Sequence, residues 1–404
     1  MKKNLLFASA LAVLVSFFGT SCSENDNPTP NPTPNPDQES AELDYTKANA
    51  EQWGNYMKNT ARLLKSDADK LYTEWAESYA STGRPYAELF KEHNAATGFT
   101  SLQDCAQQVV EKMGEIANEV GSTKMGDPYS KWTQGKTELA LYSVESWYSW
   151  HSRDDYTNNI KSIRNAYYGS LDGTVAEHSM AAAIAKKYPE FDQKMRNLIQ
   201  GAQDAIQGIA QPFRNHIGST ETVAAMDACE KLQRALSEVD SEEEGEDKVA
   251  DATNLRDLVV NIDADELQLI LNNYVDAVVV PTYKALREKN NALKDAVDAF
   301  AANPTNAGFA ACCEAWMKAR EPWETSEAFL FGPVDEYGLD PNMDSWPLDQ
   351  DAIVQIMKSQ KWTDLEWTDG DDDAKVESAQ NVRGFHTLEF LVFKNGQPRT
   401  VPAK

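Results

Sequence analysis

The 404-residue sequence predicts an all-α protein of two four-helix bundles, and three observations carry that reading. Apolar side chains recur at spacings of three and four along most of the chain, the rhythm of one helical face. The segments that keep this rhythm, about eight or nine of them, are joined by short Gly-, Pro- and Asn-bearing connections, which suits two bundles of four. The one β-branched run of note, Val278 to Val280, ends at Pro281, so no sheet of consequence is expected.

In chain order, Met1-Lys2-Lys3 is a short basic region followed by an apolar stretch from Leu5 to Phe18. That stretch is too short to span a bilayer and suits a signal peptide over residues 1–21. Gly19-Thr20-Ser21-Cys22 then offers small residues beside a cysteine placed for lipidation. A lipid on Cys22 would tie the protein to the membrane of the cell envelope; the alternative is a soluble secreted protein with a free thiol. Residues 22–40 contain Asn27 to Asp37, NPTPNPTPNPD, whose regular prolines fix φ and leave nothing apolar to bury. Such a segment is an extended tether. The acidic Ser23-Glu24-Asn25-Asp26 resembles the signal that sends some Gram-negative lipoproteins to the outer surface, so the outer membrane is expected, with its face left open.

Beyond the tether the chain is longer than one core usually organises, and two domains follow. Trp53, Met57, Ala61, Leu64, Ala68, Leu71 and Trp75 line one face of a long helix. Phe191, Met195, Leu198, Ala202, Ile206 and Ile209 repeat the pattern before Pro212. Leu286, Leu293, Val297 and Phe300 repeat it before Asn303-Pro304. Irregular structure is expected at Gly121 to Tyr129 and at Phe331 to Asp349.

The formal charge of -26 excludes binding along a nucleic-acid backbone, which needs clustered Lys and Arg. The runs Glu242 to Asp247 and Asp371 to Asp373 read as solvated loops without calcium-loop spacing. Cys105, Cys229 and the pair Cys312-Cys313 match neither a zinc cluster nor a disulfide framework; the pair lies in an Ala-rich helical pattern as small buried thiols.

Three constellations could carry chemistry. In GFHTLEF, His386 and Glu389 stand three apart, so imidazole and carboxylate share a helical face. Their neighbours are nearly all apolar, which buries the pair, and a buried carboxylate must be paired, protonated or metal-bound. Spacing leaves a satisfied core pair and a metal site both open. The stretch has neither HExxH nor its inverted form, so a hydrolytic zinc site would need a ligand and a base from elsewhere. Arg320, Glu324 and Glu327 share a second face if Pro322 only kinks their helix; the alternative is an exposed ion pair. Glu145, Ser149, Ser152, Asp155 and Asn159 form a polar stripe at helical spacing, bordered by Trp147 and Trp150. His93, His151, His178 and His216 read as surface or ordinary interior histidines.

GFHTLEF, AWMKAREPWETSEAFLFGP and DSWPLD together resemble the imelysin-like proteins, marked by a GxHxxE motif that begins here at Gly384 and once classed as metallopeptidases. ESWYSWHSRDDYTNNIKSIRNAYYG resembles the family's serine- and aspartate-bearing helix. Here that segment precedes the other two, where the family places it last, so the order resembles a circular permutation. The resemblance implies one bundle from 41–95 plus 265–404, carrying GxHxxE, and a second from 96–264, with a site at their interface. It implies His386 and Glu389 as the core of that site and Arg320 beside them. It places Glu324, Glu327 and Asp344 where related iron-uptake proteins carry ExxE and a following Asp. Iron, zinc or manganese would suit such a set.

The leading expectation is therefore a non-catalytic metal-binding lipoprotein of iron uptake, with a membrane partner. A zinc-dependent peptidase is the enzymatic alternative. A protein that binds a receptor or polysaccharide through its acidic surface is the third.

Overall fold

The computed structural model describes residues 44–237, 254–368 and 370–403. The expected signal peptide, Cys22, the tether and the acidic run from Glu242 to Asp247 lie outside them. The architecture is carried by α1 (Ala50–Ala76), α2 (Leu102–Asn118), α3 (Ser152–Tyr168), α4 (Pro189–Gly208), α5 (Thr220–Leu236), α6 (Val280–Ala302), α7 (Asn306–Glu324) and α8 (Gly384–Val392). The protein is all-α; among the described residues the extended structure is a hairpin of Phe393–Lys394 with Gln397–Pro398.

Trp53, Met57, Ala61, Leu64, Ala68, Leu71 and Trp75 are all buried on one face of α1. Burial of the larger of these, such as Met57, Leu64 and Leu71, contributes about 1.5–3 kcal/mol each against leaving them exposed. α1 packs on α6, whose Leu286, Leu293, Val297 and Phe300 are buried as expected. α6 packs on α7, α7 on α8, and α8 on α1, closing a ring of four. A second ring closes through α2, α3, α4 and α5, each packed on the next and α5 on α2. The rings touch where α7 meets α3 and where the turn Glu327–Phe329 lies on α2 and α3. No described helix is long and apolar enough to cross a membrane.

Several local expectations change. Residues expected to be irregular after Gly121 are helical: a π-helical turn, Glu119–Met125, runs on into a helix at Gly126–Thr133. The extra residue of a π turn is accommodated because Gly121 lies against α5, where an added Cβ would meet Cys229 Cβ at 3.0 Å. The stretch from Phe331 to Asp349 holds two short helices, Pro333–Glu336 and Leu339–Asp344. The polar stripe is not one helix, because Ser146 and Trp150 take left-handed φ of 52° and 62°. Glu145 and Ser149 therefore sit on a loop, and only Ser152, Asp155 and Asn159 lie on α3. Asp371, Asp372 and Asp373 are exposed, and Asp372 caps a following helix by accepting from Lys375 N–H at 2.9 Å.

Candidate metal centre

α8 is buried at every position, which is why its two ionisable side chains, His386 and Glu389, must find partners inside the protein. Its ends are pinned by tryptophans: Trp316 Nε1 donates to Phe385 O at 2.9 Å and Trp53 Nε1 to Leu391 O at 3.0 Å. The second bond satisfies a carbonyl that the end of the helix leaves without an intrahelical partner. At the other end Gly384 has φ 84°, and an added Cβ would stand 2.5 Å from Met343 O. Only glycine lets the short helix carrying Asp344 come this close.

One turn of α8 brings His386 Nδ1 to 3.0 Å from Glu389 Oε2. The other Glu389 oxygen accepts backbone N–H groups from Tyr148 at 3.0 Å and Ser149 at 2.7 Å. Glu389 is thereby fully engaged, and its hydrogen bond sets the imidazole's orientation. The far nitrogen, Nε2, faces Asp344 Oδ1 at 3.1 Å and Glu145 Oε1 at 3.6 Å.

Arg320, wholly buried, stands at the centre of the carboxylates. It pairs with Asp344, with Glu145 and Glu324 at 2.5 Å each, and with Asp155 at 3.5 Å. The Arg320–Glu324 pair is four residues apart on α7, which continues through Pro322, yet it is an interior pair and not a surface one. Glu327 lies beyond the end of α7, on the turn that follows, so it shares no helical face with Arg320. Its carboxylate still converges with those of Glu324 and Asp344. Trp323 Nε1 donates to Asp344 Oδ2 at 2.6 Å, and Asn159 Nδ2 donates to Glu324 Oε2 at 2.6 Å.

The serines play smaller parts than the stripe suggested. Ser149 contributes its backbone N–H, while its hydroxyl turns to Ser146 O at 3.4 Å. The Ser152 hydroxyl donates to Glu145 O at 2.5 Å and so shapes the loop. Ser146, absent from the expected set, donates to Asp155. Lys124 is the larger omission: its buried Nζ lies 3.1 Å from Glu145 Oε2 and 4.0 Å from Glu327 Oε1. The sequence signal for it is slight, a single lysine in a stretch that read as irregular.

Charge decides what this arrangement can do. Arg320, Lys124 and His386 face Glu145, Asp155, Glu324, Glu327, Asp344 and Glu389, so carboxyl groups outnumber cations even with the imidazole protonated. Unbalanced buried charge is costly, and either protons or a further cation must relieve it. The proton affinities divide accordingly. Burial raises Glu145, but Lys124, a hydrogen bond from His386 and Arg320 outweigh it and hold the group at about 2. Asp344 is likewise held low, against burial, by Arg320 and His386. Burial drives Glu324 and Glu327 well above the carboxylate range despite Arg320 and Lys124, and raises Asp155 to about 7. Burial and Arg320 lower His386, yet hydrogen bonds to Asp344, Glu145 and Glu389 leave it well above the usual histidine value.

Two groups of donors lie close enough to share one ion: Glu145, Asp344 and His386, and Glu324, Glu327 and Asp344. His386 Nε2, Glu145 Oε2 and Glu324 Oε1 are buried and face charged neighbours, Asp344, Lys124 and Arg320 respectively, with no neutral hydrogen-bond partner. A nitrogen and several carboxylate oxygens, with surplus negative charge, fit a divalent first-row ion.

The sequence model of the imelysin family matches residues 18–241 and 279–403. A solved structure described as an imelysin peptidase from Bacteroides ovatus is 58% identical, with a TM-score of 0.83, over 89% of this chain and 99% of that one. Iron-regulated protein A of Synechococcus elongatus is 33% identical over 129 residues, 32% of this chain. The match spans about a third of that relative's length, 32%.

Proposed function

The chain belongs to the imelysin family, and we propose that it is a cell-envelope lipoprotein that binds a transition-metal ion and serves iron uptake or homeostasis without catalysing a reaction. The observation that carries this reading is the convergence of His386 Nε2 on Asp344 and Glu145 within a buried surplus of carboxyl groups. His386, Asp344 and Glu145 would hold the ion, with Glu324 and Glu327 beside them. The ion would supply the positive charge that Arg320 and Lys124 do not. Glu389 would act behind His386, fixing its ring and tautomer through Nδ1. Iron, zinc and manganese share this donor preference. The name of the cyanobacterial relative, iron-regulated protein A, favours the iron side of the proposal.

The remaining parts of the proposal rest on sequence. A lipid on Cys22 would anchor the protein, in the outer membrane, near a membrane partner able to take up the ion. The circularly permuted order would join 41–95 to 265–404 as one bundle, with 96–264 as the other.

A second reading, a zinc-dependent peptidase, is favoured by the description of the Bacteroides ovatus structure. It needs a carboxylate free to take a proton from water. Glu389 already accepts two backbone N–H groups and faces His386. Metal analysis of the purified full chain should find a transition metal that His386→Ala and Asp344→Asn lose. The proposal falls if the wild type takes up none from iron- or zinc-supplemented buffer. Chelator-sensitive hydrolysis of a broad peptide pool would instead favour the peptidase.

A further inference from the structure

Lys124 is the one positive group of the site held by a flexible stem, and its surroundings give that stem somewhere to go. Its π-helical turn is fixed: Tyr156 donates its hydroxyl to Lys124 O at 3.2 Å, and Gly121 is wedged against α5. The side chain reaches from this anchored backbone to Glu145 at 3.1 Å and Glu327 at 4.0 Å. A lysine ammonium is a compact point charge without the fixed fork of Arg320, so the two cations are not equivalent. Arg320 is fastened by four carboxylates; Lys124 is fastened chiefly by one.

Beside Lys124 lies a cavity of about 240 Å³. Glu119, Glu327, Asp335, Asp340 and Asp344 contribute to its wall, and its one further cation, Lys112, is paired with Glu115 at 2.8 Å, so the wall is acidic on balance and reaches the carboxylates of the site. Glu119 Oε1 is 3.7 Å from Lys124 Nζ, and the Glu119 side chain is about half exposed, at 47%. An ammonium that left Glu145 would therefore meet new carboxylates on the way out. Separate observations thus converge on one residue: a buried cation on a flexible stem, a largely acidic passage at its tip, and two carboxylates of the site, Glu327 and Asp344, in the wall of that passage.

We propose that Lys124 is a tethered stand-in cation: its ammonium occupies a cation position between Glu145 and Glu327, and yields it to a divalent ion entering through the acidic cavity. The proposal rests on the metal-binding reading above. It makes the acidic cavity the entry route and Lys124 the group that sets affinity, since an incoming ion must displace like charge.

The test uses the full chain, Zn2+ alone as probe, and calorimetric titration of wild type, Lys124→Gln and His386→Ala. Lys124→Gln should bind Zn2+ about tenfold or more tightly than wild type, because a competing charge a few ångströms away is gone. His386→Ala should lose binding. In parallel, acetic anhydride labelling of the wild type, read by mass spectrometry, should show Lys124 protected without Zn2+ and modified once Zn2+ is added. If Lys124→Gln does not fold, the labelling decides alone. Zn2+ binding by the wild type with Lys124→Gln no tighter, or with Lys124 still protected, overturns this proposal and leaves the metal site standing. No Zn2+ binding by the wild type overturns this proposal, and the metal site falls with it if the wild type takes up no iron either.

Discussion

At the scale of single residues, the centre is a problem in neutralising carboxyl groups, and each has a different solution. Glu145 and Asp344 are held ionised by Arg320, His386 and, for Glu145, Lys124. Asp155 has Arg320 at 3.5 Å and the Ser146 hydroxyl, which do not offset its burial. Its carboxyl, raised from 3.8 to about 7, keeps a proton that the unfolded chain releases. Stability from this group is therefore complete below 3.8 and is lost as pH rises through about 7. Asp155→Asn should remove that loss: in urea unfolding of chelator-treated protein, the variant should lose less stability than wild type between pH 4.5 and 7.5. Parallel pH dependences would contradict the assignment. Of these residues the sequence showed the pair that depends on spacing alone, His386 with Glu389. It also pointed to Glu145 and Asp155, but through a helical stripe that the left-handed Ser146 and Trp150 interrupt. Lys124 was not legible, because its role depends on tertiary neighbours more than twenty residues away and on an extra residue in a π turn.

At the scale of elements, the short α8 explains why the motif needs its glycine. A helix whose side chains are mostly apolar can be placed from sequence as buried, and α8 is. What sequence does not give is the approach of the helix Leu339–Asp344, since the stretch read as irregular. That approach delivers Asp344 to His386 and rests on Gly384, whose φ of 84° suits no side chain well and whose missing Cβ makes room for Met343 O. A side chain in the left-handed region costs about 1–2 kcal/mol before any clash is counted. Gly384→Ala should therefore lower stability by at least that amount, about 1–2 kcal/mol, in denaturant unfolding, and lower metal uptake with it. Unchanged stability would show that the close approach is dispensable. Arg399 supports the other end of the element, donating to Phe390 O at 2.9 Å and pairing with Asp44 at 2.9 Å. Asp44 also pairs with Lys394 at 2.8 Å. The first described residue is thus fastened to the hairpin that follows α8.

At the scale of the whole molecule, two helical rings meet along α3 and α7, and the polar residues collect at that seam. Helical periodicity sufficed for the all-α class: it marked the buried faces of α1 and α6, and that of α4 in part, where Phe191 and Leu198 are only half-buried and Ile209 lies just past the helix end. The seam was less legible: its contributors lie in the order Lys124, Glu145, Asp155, Arg320, Glu324, Glu327, Asp344, His386, and no local pattern joins them. Trp316, Trp323 and Phe329, which flank Arg320 and Glu324 in the sequence, are all buried. The acidic cavity beside Lys124 then gives the seam a route to solvent. The central claim is that this seam holds a metal ion. Its most direct measurement is anomalous diffraction from crystals of the full chain grown with Fe2+ or Zn2+, collected at each metal's edge. A peak within coordination distance of His386 Nε2, Asp344 and Glu145 is the predicted result; well-ordered crystals with no peak there, or with peaks only on the protein's surface, would contradict it.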